Sequence, residues 1–106
     1  MASKTAAPAD LSNDQTIELA EMFKLLGDPT RLKIVIECLS GPLPVGAIAE
    51  TLGLSPSLVS HHLRLLRATR LVRSDRQGRQ MLYVIHDTHI EQVIADMTAH
   101  IQESHE

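Results

Sequence analysis

After Arg70 the spacing of apolar residues changes from that of a helix to that of a strand, and this one switch limits what the chain can build. Leu71-Val72-Arg73-Ser74 and Met81-Leu82-Tyr83-Val84-Ile85 read as two strands around the loop Asp75 to Gln80, where Gly78 marks a β-hairpin. Helical patterns occupy the rest. The expected fold is mostly α with one hairpin, in the order ααααββα.

The helix boundaries follow from start and stop residues. Residues 1–11 read as a loose tail, and 12–106 as one domain. Ser12-Asn13-Asp14-Gln15 forms a capping box, followed by an apolar stripe from Ile17 through Phe23 to Leu26 that ends at Gly27. Asp28-Pro29 opens a second helix with Leu32, Val35, Ile36 and Leu39 on one face, stopping at Ser40-Gly41-Pro42. A short helix follows from Pro44 to Leu52. Gly53 and Leu54 make a turn, and Ser55-Pro56 starts a helix running to about Thr69. That helix buries Leu58, Val59, Leu63, Leu65 and Leu66 and leaves Ser57, Ser60, His61, Arg64 and Arg67 outward. Thr88 caps the last helix, whose stripe is Ile90, Val93, Ile94, Met97 and Ile101.

Two helices joined by a glycine-containing turn, then a basic hairpin, make a winged helix-turn-helix pattern. The net charge of −3 conceals a split: Leu54 to Gln80 holds six arginines against one acid, Asp75, so this segment carries +5 and the rest −8. A local basic stripe is what phosphates respond to. Ser55, Ser57, Ser60, His61 and Arg64 are suited to a major groove, where short polar side chains approach base edges. Arg76, Gln77 and Arg79 in the hairpin reach the flanking backbone or minor groove. One unit gives little specificity, whereas a two-fold dimer places two such helices about 34 Å apart and asks for a palindromic operator on double-stranded DNA.

The core must be aliphatic, since 43% of residues are hydrophobic and only 2% aromatic, and small aliphatic domains gain stability by dimerising. No stretch is long and apolar enough to enter a membrane, and no signal peptide is visible. The lone Cys38 suits a reducing compartment and reads as a buried apolar residue, so a cytoplasmic location is expected.

Six histidines stand in the chain, and four residues near its end have ligand spacing: Asp87, His89, His100 and Glu103. An eleven-residue helical step returns to within roughly 20° of the same face but rises about 16 Å. One metal ion with bonds near ~2 Å cannot span that distance. Antiparallel pairing of two such helices sets His89 of one copy opposite His100 of the other and yields two equivalent sites per dimer. Two imidazoles and two carboxylates suit Zn²⁺, with Co²⁺ as a mimic. Nickel would need further ligands, which His86 or His105 offer. Zinc affinity should weaken with falling pH, because neutral imidazoles are required. Three other readings stay open: a repressor answering a different signal, a zinc buffer or chaperone without DNA, and a hydrolase. A closed four-ligand site leaves a hydrolase no open position, so no enzyme is expected.

Leu26-Gly27-Asp28-Pro29-Thr30-Arg31-Leu32, Ser57-Leu58-Val59-Ser60-His61-His62-Leu63 with Arg64-Leu65-Leu66, and Gln77-Gly78-Arg79 together resemble the ArsR/SmtB family of metal-sensing repressors. The resemblance covers Leu25 to Glu103, and Asp87, His89, His100 and Glu103 match its zinc-sensor ligands on the fifth helix. It implies dimer contacts through the first and last helices, operator binding by the metal-free dimer and release on metal binding. It also implies a link from His100 to a backbone carbonyl near Arg70. One departure matters. Members sensing arsenic, cadmium or lead carry Cys-Val-Cys where this chain has Pro44-Val45-Gly46, so a thiolate site is not expected.

Overall fold

The computed structural model describes residues 10–104. Its elements are α1 (Asn13–Leu26), α2 (Pro29–Leu39), β1 (Leu43–Pro44), α3 (Val45–Leu52), α4 (Pro56–Ala68), β2 (Val72–Gln77), β3 (Gln80–Ile85) and α5 (Thr88–Ser104). Five helices and the hairpin stand as expected, and β1 is an addition. Leu43 pairs with Tyr83 and Pro44 with Leu82, giving an antiparallel sheet in the order β1-β3-β2. Two residues carry no period to read, and a proline is tolerated here because β1 lies at a sheet edge. The tail expected over residues 1–11 falls mostly outside the described residues.

The hairpin is tighter than the sequence suggested. Both strands continue to the register Gln77↔Gln80, which leaves Gly78-Arg79 as a two-residue turn. Gly78 adopts φ +61°, as the first central position of a type II′ turn requires.

Side-chain caps fix the helix starts. Ser12 Oγ accepts from Gln15 N at 3.0 Å while Gln15 Oε1 accepts from Ser12 N at 3.0 Å, completing the capping box. Asp28 Oδ2 accepts from Arg31 N at 2.9 Å, and Ser55 Oγ from Leu58 N at 3.2 Å. For α5 the expected cap was Thr88. Asp87 takes that role, its Oδ1 accepting from Ile90 N at 3.1 Å. A carboxylate complements the positive end of the helix better than a hydroxyl does.

The core lies between α2, α3, α4 and the base of the sheet: Ile34, Val35, Cys38, Ile48, Val59, Leu63, Leu66, Leu71 and Val72 are all buried. On α2 this differs from the single face expected. Ile34 and Cys38 join Val35 in the core, while Ile36 is exposed and Leu32 half-buried. The helix is covered on one side by α3 and α4, and its Leu32–Ile36 side lines an open groove with α1 and α5. Leu58, expected inside, is 40% exposed because the core side of α4 is filled by Val59, Leu63 and Leu66.

The stripes of α1 and α5 are only partly covered. Leu25 and Ile94 are buried, but Phe23 is 56% and Met97 57% exposed, and Ile17, Leu19, Val93 and Ile101 are exposed as well. The groove of about 280 Å³ between α1, α2 and α5 is walled by Phe23, Leu26, Leu32, Ile36, Val93 and Met97. One protomer does not supply enough surface to cover these two helices.

Candidate nucleic-acid interface and metal ligands

The polar side of α4 is built by its own periodicity. Val59, Leu63 and Leu66 bind it to the core, so Ser57, His61, Arg64 and Arg67 point to solvent and Ser60 is half-buried at the margin. Ser55 caps the helix, and its hydroxyl lies 3.4 Å from that of Ser57, so two of the three expected DNA-reading serines form one polar end. The adjacent histidines divide. His61 is exposed, whereas His62 is half-buried, with rings 5.5 Å apart and tilted by 59°. Burial holds the His62 imidazole below its ordinary pKa, and the Arg31 guanidinium adds to this against the opposing pull of Asp28. Its Nδ1 is buried with no hydrogen-bond partner among the described residues.

The hairpin sorts its arginines. Arg73 Nη1 donates to the His86 carbonyl at 3.0 Å, and its Nε lies 3.5 Å from Asp75 Oδ2. That residue is tied into the protein at the base of the wing. Arg76, Gln77 and Arg79 are exposed toward the tip. The free positive charge of the basic segment is therefore concentrated on the outer face of α4 and the tip of the hairpin. Arg70, outside the expected site, holds φ +63° at the corner between α4 and β2. There the N–H of Leu71 donates to Leu66 O at 2.9 Å and that of Arg70 to Arg67 O at 3.0 Å. The signal for it lay in the need to turn from helix to strand within three residues.

The four expected metal ligands fall into two pairs at opposite ends of α5. His89 Nδ1 lies 3.9 Å from Asp87 Oδ1, so capping the helix and approaching His89 are both done by the same carboxylate. His100 and Glu103 are exposed near the C-terminal end. Among the described residues no group of three or more His, Cys, Asp or Glu gathers in one chain. A donor set of two imidazoles and two carboxylates fits Zn²⁺ chemically, but a single protomer offers it only as two separated halves. His86 is half-buried, with Nδ1 buried and unpartnered among the described residues. His105 lies outside the described residues. Cys38 is buried, and burial pushes its thiol up to about 12, with Glu37 adding to the effect, so the free thiol stays protonated. Among the described residues no helix is long and apolar enough to cross a membrane.

Comparison with known proteins agrees with this architecture. The pattern of the bacterial regulatory protein arsR family matches residues 28–74, from the cap of α2 to the first half of the wing. The regulator NmtR of Mycobacterium tuberculosis is 38% identical over 97 residues, covering 92% of this chain and 81% of its own length. The transcriptional repressor SmtB homolog of Synechocystis is also 38% identical over 97 residues, covering 92% and 74%. A homodimeric winged helix-turn-helix DNA-binding domain from Mycobacterium bovis superposes with a TM-score of 0.80 at 25% identity, covering 91% of this chain and 92% of that one. The first two are named as a transcriptional regulator and a transcriptional repressor. The chain belongs to the ArsR family of bacterial transcriptional regulators.

Proposed function

We propose that this protein is a zinc-responsive repressor whose metal-free dimer holds a palindromic operator and lets it go when zinc binds between the two α5 helices. The observation that carries this reading is the form of α5. Its apolar stripe is only partly covered, with Val93, Met97 and Ile101 exposed, and its ligand-type residues stand as one pair at each end. Antiparallel pairing of two copies buries the stripe and brings Asp87 and His89 of one copy to His100 and Glu103 of the other. Two sites arise, each closed by four protein donors, as regulatory zinc or cobalt requires. Phe23 and Leu19 on α1 extend the same apolar surface, so α1 and α5 together form the dimer face.

In the DNA-bound form, Ser55, Ser57, Ser60, His61 and Arg64 enter the major groove, and Arg76, Gln77 and Arg79 clasp the flanking backbone. The metal acts on the angle between the two α4 helices, since it fixes the α5 pair on which both recognition units are mounted. A zinc-bound His100 has a second ring nitrogen free to donate, and the corner at Arg70 offers a route to the end of α4. Reciprocity follows: zinc weakens DNA binding by the factor by which DNA weakens zinc binding. The test is fluorescence anisotropy of a labelled operator duplex titrated with Zn²⁺. Wild type should release the duplex, and His100→Gln should retain it at the same zinc concentration. Zinc-independent release, or full release from His100→Gln, would count against the reading.

A further inference from the structure

Among the described residues, the large apolar side chains that remain exposed lie before or on α1, on α2, on α5, and at one place on α4, Leu58. On α1 and α5 the exposure belongs to the surface assigned to the second copy, and Ile36 of α2 lines the groove beside it. Leu58 does not. It sits in the first turn of α4, where its N–H is held by the Ser55 cap at 3.2 Å, and is 40% exposed. On the helix it stands about 100° from Ser57 and about 60° from His61, and about 100° from the buried Val59 on the other side. It is thus a leucine at the edge of an otherwise polar, basic face. A leucine there leaves a cost in water that an apolar contact would remove. Major-groove edges carry one apolar group, the C5-methyl of thymine.

We propose that Leu58 is a specificity-determining residue that packs against a thymine methyl in each half of the operator, beside the polar contacts of Ser57 and His61. This rests on the DNA-binding reading given above. Serine, histidine and arginine read hydrogen-bonding groups, so an apolar contact from the same helix turn adds a preference for A·T pairs that none of them supplies.

The experiment begins with duplexes selected from a random pool by the wild-type dimer. Each thymine is then replaced by uracil, which removes the methyl and keeps every hydrogen-bonding group. Wild type should lose about fourfold in affinity for each half-site methyl, about 15-fold for a symmetric pair, as the burial of one methyl-sized group implies. Leu58→Ala should bind the parent duplex with a similar loss and show no further loss with uracil. An unchanged thermal midpoint for Leu58→Ala shows that the fold is intact, as expected for a side chain outside the core. Leu58→Ala binding that equals wild type, or uracil sensitivity that persists in the variant, overturns the assignment. A wild-type dimer that selects no sequence at all overturns the DNA-binding reading along with it.

Discussion

Replacing Met97 by glutamate should separate the dimer without unfolding the protomer. Met97 lies on α5 and is 57% exposed in one chain. Full burial of such a side chain is worth about 1.5–3 kcal/mol, so covering the exposed half contributes about 1 kcal/mol. A two-fold axis counts it twice, about 2 kcal/mol, or about 30-fold in the dimer dissociation constant. Glutamate adds the cost of burying two carboxylates without partners, which moves the equilibrium further in the same direction. The two residue types have similar helix propensity, and the core centred on Ile48 and Leu66 is untouched, so the protomer should retain its helical circular dichroism. Sedimentation equilibrium over a range of protein concentrations measures the shift. A Met97→Glu dimer as tight as wild type would refute the assignment of α5 to the interface, and with it the inter-chain metal sites.

Three further outcomes are expected. Arg70 sits at φ +63°, where a side chain costs about 1 kcal/mol that glycine avoids, so Arg70→Gly should leave stability equal or higher in urea titrations despite losing a charge. Cys38 should resist thiol reagents in the folded protein and react at the rate of global unfolding, because it is buried with its pKa raised to about 12. Quick stoichiometric labelling of native protein would contradict that. The His62 pKa is lowered in the folded state, so the unfolded chain binds the proton more readily. Stability should therefore fall as pH drops through the ordinary histidine pKa of about 6.5 and level off below the folded value, with a smaller decline in His62→Gln.

How much of this was legible in the sequence depends on how local the signal was. Helix starts were readable where a polar cap and a proline stand together, as at Asp28-Pro29 and Ser55-Pro56. At α5 two capping residues are adjacent, and the folded helix takes Asp87 rather than Thr88. β1 could not be read, since Leu43 and Pro44 become a strand only through pairing with β3. Periodicity identified an apolar side on each helix but not which neighbour covers it. On α2 the pattern holds two surfaces, one for the core and one for the groove. On α1 and α5 the apolar pattern is present, yet most of it beyond Leu25 and Ile94 is exposed or half-buried. Leu58 reads as buried beside Val59, but the core side of α4 is filled by Val59, Leu63 and Leu66. For the proposed metal ligands, helical spacing already separates His89 from His100, and the structure shows the four residues as two pairs at opposite ends of α5.

The most direct test of the central claim is zinc stoichiometry and affinity for the purified dimer, wild type beside His89→Ala. Two tightly bound zinc ions per wild-type dimer, both lost in the variant, are expected if each site takes His89 from one copy. Tight binding that survives in His89→Ala, or one zinc per dimer, contradicts the paired inter-helix sites and leaves a regulator whose signal is something other than zinc at α5.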